Sequence, residues 1–197
     1  MSDEIQAMTR FPVPAVEDLP EDLRERIEYE TERAGFTPNV FLAYGYKPSH
    51  SRAFFAYYDA LVEDTTLGRD EVEMIVVAVS GANDCLYCNV AHGALLRVYG
   101  DDPHLADQLI SNPTAADLSD RHQAMVDFAV ALTGQDTMAA VDEADFEQLR
   151  EHGFTEEEIW DIGAVAAFFN LSNRMAHLAD MRPNKEFYTL GREQPEE

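Results

Sequence analysis

A helical period interrupted by glycines is the feature that most constrains the fold of this chain. Apolar residues recur at the i, i+3, i+4 spacing that places them on one face of a helix. Glycine suits the ends of such segments because it adopts the left-handed conformation at little cost. No stretch shows the sustained alternation of a half-buried strand. The sequence therefore predicts an all-α fold, with helices closed at Gly35, Gly45, Gly100, Gly134 and Gly153.

We predict helices over residues 21–34, 37–45, 49–62, 70–80, 85–99, 119–132, 142–151 and 155–177. Segment 70–80 is ambiguous, because the β-branched residues around Ile75 also suit a buried strand. A helix is favoured there, since Asp70 and Glu73 have the spacing of a capping box and acidic residues suit the positive end of a helix dipole. Thr155 and Glu158 have the same spacing and predict the start of the last long helix.

Chain length and composition favour a single domain spanning residues 1–197. Residues 1–18 have no clear period and are predicted to form an extended arm, and residues 184–197 follow Pro183 as a C-terminal tail. The first residues lack the apolar stretch of a signal peptide, and no apolar run approaches the ~20 residues of a membrane helix. We expect a soluble, cytoplasmic protein that has no contact with a membrane.

Acidic residues dominate the charge of the chain. Its 38 Asp and Glu residues outnumber 14 Lys and Arg residues, and the formal net charge is −24. Such a field repels phosphate backbones at ordinary salt, so no nucleic-acid partner is expected. At about 1 M salt the Debye length falls to roughly 3 Å and the repulsion is largely screened. With Lys47 and Lys185 as its only lysines, the composition favours a salt-adapted, halophilic host over an ordinary acidic protein.

Both cysteines lie in the stretch NDCLYCNVAHG, residues 83–93. Two cysteines make no disulfide framework, and in a reducing cytosol a disulfide between them would be transient and catalytic. The first turn of a helix, capped here by Asn83 or Asp84, offers backbone N–H groups that stabilise a thiolate. His92 follows Cys88 by four residues and can exchange a proton with its sulfur. Cys88 and His92 are therefore the candidate nucleophile and base, with Cys85 within disulfide reach.

The same stretch allows other interpretations. A zinc site needs about four ligands, and the fourth would have to come from His122, His177 or Glu73. Alternatively, the two cysteines are buried as small apolar side chains. A thioredoxin domain also begins a helix with Cys-x-x-Cys, but that helix follows a strand. The segment before Cys85 is predicted as a helix, which disfavours a thioredoxin domain.

A shift of 85 residues aligns two parts of the chain. The matched residues are Gly68 with Gly153, Glu71 with Glu156, Glu73 with Glu158, Ala82 with Ala167, Ala91 with Ala176, and His92 with His177. This pattern predicts a degenerate internal repeat of helical pairs, with chance similarity between amphipathic helices as the alternative. Cys85 and Cys88 fall on Asn170 and Asn173, so the second copy would lack the thiols.

Four residues carry a more specific pattern. Glu73, Cys85, Cys88 and His92 have the spacing Glu-x11-Cys-x2-Cys-x3-His, and in this the chain resembles the AhpD-like alkylhydroperoxidases of the carboxymuconolactone decarboxylase superfamily. Three stretches are similar to signatures of its peroxidase-related branch: TPNVFLA at 37–43, SGANDCLYC at 80–88 and FFNLSNRMA at 168–176. The similarity spans roughly residues 35–185.

The resemblance implies an AhpD-like helical bundle that assembles into homo-oligomers, typically trimers or hexamers. It also implies reduction of hydrogen peroxide or organic hydroperoxides without a metal, haem or other cofactor. In such a mechanism Cys88 attacks the peroxide as a thiolate and becomes a sulfenic acid, and Cys85 condenses with it to a disulfide. Glu73 and His92 form the proton relay, and an external dithiol partner, which the resemblance does not name, resets the pair.

Aromatic residues are expected around the thiols. The best-known enzymes of this kind have a histidine immediately before the second cysteine, where this chain has Tyr87. Tyr87 is expected to hold a water or shape the pocket, and Phe168 and Phe169 to line it. Another aromatic group is expected instead to fill the core or a subunit contact; it comprises Phe54, Phe55, Tyr57 and Tyr58.

Each relay residue also has a structural interpretation. Glu73 could cap its helix, as Glu158 does in the copy without thiols. His92 could pack or hydrogen-bond in the core, because the matching His177 is present where no thiol remains. The alternative function is accordingly a non-catalytic helical oligomer whose cysteine pair senses redox state or stabilises the fold.

Overall fold

The computed structural model describes residues 8–134 and 141–192, and within these ranges the chain forms helices and no strand. The helices of the described residues are α1 Glu21–Ala34, α2 Asn39–Tyr44, α3 Pro48–Glu63, α4 Arg69–Ala82, α5 Leu86–Tyr99, α6 Leu105–Ser111, α7 Asp120–Thr133, α8 Glu143–Glu151 and α9 Glu156–Ala179. Short 3-10 turns lie at Val16–Asp18, Pro113–Ala115 and Lys185–Tyr188. The predicted all-α fold is confirmed.

Helix α4 forms the centre of the fold. Its residues from Val72 to Ser80 are buried, and α5, α6, α7 and α9 pack around it. A helix that is apolar on all sides belongs in a protein core. The β-branched residues cost about 0.7 kcal/mol or less each in helix propensity, whereas burying such a side chain stabilises the fold by about 1.5–3 kcal/mol. Burial therefore outweighs propensity, and the helix predicted over 70–80 is confirmed.

The start of α4 differs from the prediction. Gly68 is the N-cap residue, and the Glu71 carboxylate accepts a hydrogen bond from its backbone N–H at 2.8 Å. The capping box predicted from Asp70 and Glu73 is therefore wrong. Two residues correspond to about 200° of rotation around a helix, so Glu73 points away from the cap and into the interior, where it is 1% exposed.

Helix α9 contains the second copy of the predicted repeat. It begins with the predicted capping box, in which Thr155 and Glu158 each accept a hydrogen bond from the backbone N–H of the other. It then runs unbroken to Ala179, whereas the matching residues of the first copy form α4, a turn and the start of α5. Asn170 and Asn173, the matches of the two cysteines, thus lie inside a continuous helix that packs against α4.

The terminal segments close over the C-terminal part of α9. The backbone N–H of Arg10 donates to the carbonyl of Ala179 at 2.6 Å, and Phe187 in the tail is buried. Both segments therefore pack on the helices in their described parts. Residues 1–7 of the predicted arm and 193–197 of the predicted tail lie outside the described residues.

Helix α6 is not predicted by the sequence pattern, because its seven residues give too few turns to establish a period. It packs against α4 and α5 through buried Leu105, Ala106 and Leu109. Among the described residues, no helix is long and apolar enough to cross a membrane.

Candidate active site

The turn between α4 and α5 places Cys85 at a helix start. Asp84 adopts a φ of 52°, in the left-handed region that aspartate tolerates better than most residues. Cys85 itself is the N-cap of α5, in place of the predicted Asn83 or Asp84, and its Sγ accepts a hydrogen bond from the backbone N–H of Cys88 at 3.4 Å. N–H groups at a helix start favour negative charge, so this position suits a thiolate.

The two sulfurs differ in how readily they ionise. Both are buried and neither is in a disulfide. A hydrogen bond from the Cys88 thiol, reinforced by the Cys88 backbone N–H, lowers the pKa of Cys85 to about 7. The same side-chain bond, together with burial, raises the pKa of Cys88. The resting pair therefore carries its negative charge on Cys85 and its proton on Cys88. Attack by a Cys88 thiolate, as the resemblance implies, requires this proton to move.

Polar side chains of α9 surround the thiol turn. Asn173 is completely buried; it donates to Ser80 Oγ at 3.0 Å and accepts from Asn83 Nδ2 at 2.9 Å. Its amide acts to lower the pKa of both cysteines, and the Ser172 hydroxyl acts to lower the pKa of Cys88. Nε2 of His177 lies 2.9 Å from the carbonyl oxygen of Asn83. These contacts hold the turn against α9 and stabilise negative charge on the sulfurs.

Sequence reasoning did not assign Asn173 to the site. A signal was present, however, because the 85-residue shift pairs Asn173 with Cys88, and these two side chains are in contact. Asn173 of α9 therefore contributes an amide to the surroundings of the thiols.

Glu73 and His92 form a buried pair. Nδ1 of His92 lies 2.8 Å from Oε2 of Glu73, and Arg69 Nη2 lies 2.9 Å from the other carboxylate oxygen. The edge of the Phe169 ring faces the imidazole, with centroids 4.8 Å apart. Both relay candidates thus meet, and the capping role of Glu73 is not found. The hydrogen bond of His92 to Glu73 fits both its relay role and its alternative role of hydrogen-bonding in the core. Because Nδ1 of His92 is hydrogen-bonded to Glu73, Nε2 is the ring nitrogen that is left for proton exchange. Arg69 is a neighbour that the sequence analysis missed.

A cavity of about 130 Å³ lies beside Cys88 and His92. The three predicted pocket residues, Tyr87, Phe168 and Phe169, line it. Aromatic rings of α2 and α3 complete its wall: Phe41, Tyr44, Phe54, Phe55 and Tyr58. Phe54, Phe55 and Tyr58 of α3 therefore line the cavity, in addition to the expected role in the core or a subunit contact. Tyr57 does not line the cavity, and its side chain is half-exposed. Cys88 lines the cavity and Cys85 does not, so Cys88 is the sulfur that a ligand meets.

Tyr87 has a structural contact at its hydroxyl. The oxygen accepts a hydrogen bond from the backbone N–H of Val40 at 3.1 Å, which ties α5 to the start of α2. Burial raises the pKa of the phenol far above its usual value. Tyr87 therefore shapes the cavity, and its phenol remains protonated at neutral pH.

The zinc alternative finds no support in the side-chain arrangement. Across residues 8–134 and 141–192, no three His, Cys, Asp or Glu side chains group as metal ligands. His122 lies 3.4 Å from Glu71, at the opposite end of α4 from the thiol turn. A helix rises about 1.5 Å per residue, so His122 is too distant to share a metal ion with the cysteines.

Comparison with known proteins agrees with this geometry. The family model described as the carboxymuconolactone decarboxylase family matches residues 48–130. A peroxidase-related protein from Ralstonia eutropha JMP134, described as an alkylhydroperoxidase AhpD core, is 53% identical, with 94% of this chain and 97% of that chain covered and a TM-score of 0.91. A peroxidase-related protein from Silicibacter sp. TM1040 is 40% identical, with 94% and 96% covered and a TM-score of 0.87.

The debrominase Bmp8 shares the fold alone, at 19% identity, with 93% of this chain and 95% of that chain covered and a TM-score of 0.75. A comparison with curated proteins finds no match. Fold and site together define an AhpD-like helical protein with a buried dithiol. The chain belongs to the carboxymuconolactone decarboxylase superfamily, in its AhpD-like, peroxidase-related branch.

Proposed function

We propose that the protein is a thiol-dependent peroxidase, an alkylhydroperoxidase-like enzyme that reduces hydrogen peroxide or organic hydroperoxides. One observation carries the proposal: Cys88 lines an aromatic cavity together with His92, and its backbone N–H donates a hydrogen bond to the sulfur of Cys85. A substrate in the cavity thus meets a thiol that has both a resolving sulfur and a proton relay beside it.

The reaction begins with a proton transfer between the sulfurs. Cys88 passes its proton along the existing hydrogen bond to the Cys85 thiolate and becomes the nucleophile. It attacks one oxygen of the hydroperoxide, the O–O bond breaks, and Cys88 becomes a sulfenic acid. The departing alkoxide, or hydroxide from hydrogen peroxide, takes a proton from the His92 imidazolium, which the Glu73 carboxylate stabilises at 2.8 Å.

Disulfide formation completes the oxidative half. Cys85 gives its proton to the hydroxyl group of the sulfenic acid and attacks the Cys88 sulfur, and that hydroxyl group departs as water. Cys85 and Cys88 are held next to each other in the first turn of α5, where the backbone N of Cys88 lies 3.4 Å from Cys85 Sγ. This arrangement favours a disulfide between them. An external dithiol then reduces the disulfide, restoring the Cys85 thiolate, the Cys88 thiol and the His92 imidazolium.

A redox sensor is the second candidate function. Cys85 and Cys88 are only 1% and 2% exposed, and burial slows the approach of a dithiol to the disulfide. A sensor would form the disulfide once and would not sustain turnover. We also propose that the protein forms homo-oligomers and that it works in the cytoplasm of a salt-adapted host, where its thiols are kept reduced. Neither nucleic acid nor a membrane is proposed as a partner.

The test is hydroperoxide turnover by the reduced protein in high salt, with a panel of dithiol reductants. We expect peroxide consumption and a Cys85–Cys88 disulfide by mass spectrometry, and both should disappear in Cys88→Ser. The matched Cys85→Ser variant lacks the acceptor for the Cys88 proton and the resolving sulfur, so Cys88 should be oxidised only slowly and should stop at a sulfenic acid that dimedone traps. Turnover that survives Cys88→Ser would refute the thiol mechanism, whereas disulfide formation without turnover for every reductant would favour the sensor.

A further inference from the structure

Tyr44 has a buried, unpaired hydroxyl and lies in the wall of the cavity that Cys88 also lines. The residue ends α2, its ring stacks on Phe54 with centroids 4.2 Å apart, and it lines the cavity wall. The hydroxyl oxygen is fully buried and has no hydrogen-bond partner among the residues that the structure describes. Burying a hydroxyl without a hydrogen-bond partner is unfavourable. A polar ligand atom that bonded to this hydroxyl would remove that cost.

The other two phenols at the cavity wall and the inner nitrogen of His92 are already engaged. The Tyr87 hydroxyl accepts from Val40, Tyr58 bonds to Arg69, and Nδ1 of His92 bonds to Glu73; the three contacts measure 3.1, 3.1 and 2.8 Å. Tyr44 is therefore the phenol that a ligand can engage without breaking an existing bond. Since the surrounding wall is aromatic, its O–H also fixes where a polar atom of the ligand lies.

Tyr44 keeps its proton in this setting. Burial, and after it the negative charge of a nearby Cys88 thiolate, raise the pKa of the phenol far above its usual value. At neutral pH the phenol is a hydrogen-bond donor beside the attacking sulfur, and it does not shuttle protons.

We propose that Tyr44 is a catalytic residue whose hydroxyl donates a hydrogen bond to the hydroperoxide oxygen that leaves as alcohol or water. This assignment rests on the proposed peroxidase function. As the thiolate forms the S–O bond and the O–O bond breaks, negative charge develops on the leaving oxygen. Tyr44 stabilises that charge, and the proton itself comes from His92, so the phenol ends the step unchanged. A preformed donor of this kind acts mainly on the transition state.

The experiment compares Tyr44→Phe with Tyr57→Phe, which removes a half-exposed hydroxyl from the same aromatic cluster outside the cavity wall. Single-turnover oxidation of Cys88 by cumene hydroperoxide, followed by mass spectrometry after quenching, should slow by about 100-fold in Tyr44→Phe and stay unchanged in Tyr57→Phe. The melting temperature of Tyr44→Phe should not fall, because the lost hydroxyl had no partner.

Alkylation of Cys88 by iodoacetamide separates the assigned role from a general effect on the thiol. This reagent has no oxygen leaving group, so its rate should be the same in Tyr44→Phe and wild type. Equal peroxide rates in the two proteins, or an alkylation rate that falls as far as the peroxide rate, would overturn the assignment. A wild-type protein that no hydroperoxide oxidises would refute the proposed function instead.

Discussion

Replacing Glu73 by glutamine should destabilise the fold and slow the thiol chemistry together. Glu73 is 1% exposed and accepts contacts from Arg69 and His92. The variant keeps the shape of the side chain but leaves the Arg69 guanidinium without its countercharge. Two nitrogens of that guanidinium, Nε and Nη1, have no partner among the described residues, so Arg69 depends strongly on this carboxylate.

The magnitude follows from the burial of the pair. Breaking a buried ion pair by removing one partner costs about 3–5 kcal/mol. The Arg69 side chain is 24% exposed, and water reaching it reduces the expected loss to about 2–3 kcal/mol. For a chain of this length each kcal/mol corresponds to about 2–4 °C, so the melting temperature should fall by roughly 5–10 °C. Loss of the imidazolium's counterion should slow Cys88 oxidation by about 100-fold.

The assay is thermal unfolding by circular dichroism and single-turnover peroxide oxidation, both in about 1 M salt, where exposed ion pairs are screened. Glu71→Gln is the matched control. Glu71 caps the same helix and pairs with Arg121, so its loss should cost about 1 kcal/mol and leave the oxidation rate unchanged. The reasoning would be refuted if Glu73→Gln lost less than about 0.5 kcal/mol, or if both variants slowed oxidation equally.

Two further predictions concern the thiol turn. The thiolate absorbance of wild type, measured against Cys85→Ser, should increase with pH around a midpoint of about 7, because Cys85 loses its proton as pH rises; a midpoint near 8.5, the value of an ordinary thiol, would contradict the hydrogen-bonded geometry. Asp84, at a φ of 52°, should tolerate glycine without loss of stability in denaturant unfolding, whereas Asp84→Val should cost about 1–2 kcal/mol; equal stability of the two variants would argue against a left-handed turn.

Local sequence signals predicted much of the helical fold and part of the site. Gly35 ends α1 in the left-handed conformation at a φ of 79°, as its position after an amphipathic segment indicates. Cys85, Cys88 and His92 lie at the start of one helix, so their spacing translates directly into relative positions. The N-cap of α4 was predicted two residues too late, at Asp70 instead of Gly68, because Asp70 and Glu73 have the same spacing as the actual pair, Gly68 and Glu71.

Residues brought in by packing could not be predicted in the same way. Tyr44 and Asn173 lie on two different helices, α2 and α9, and only the packing of those helices places them around the thiols. Neither has a spacing to the cysteines that carries meaning along a single helix. Arg69, by contrast, precedes Glu73 by four residues on α4, a spacing that the sequence itself contains. Tyr44 differs from Tyr58 and Tyr87, the other tyrosines that line the cavity, in having an unpaired hydroxyl. That property depends on the residues packed around the hydroxyl.

The environments of the two sulfurs give the proposed reaction its order. Cys85 is stabilised as a thiolate by the helix start but does not face the cavity, and Cys88 faces the cavity but holds the proton. The Cys85 thiolate is therefore shielded from molecules that enter the cavity, and Cys88, the sulfur that they meet, is protonated. Reaction requires the proton to cross between the sulfurs while an acceptor oxygen is in place. A molecule without such an oxygen gains nothing from Tyr44 or His92, so the pair should react with hydroperoxides much faster than with simple alkylating reagents.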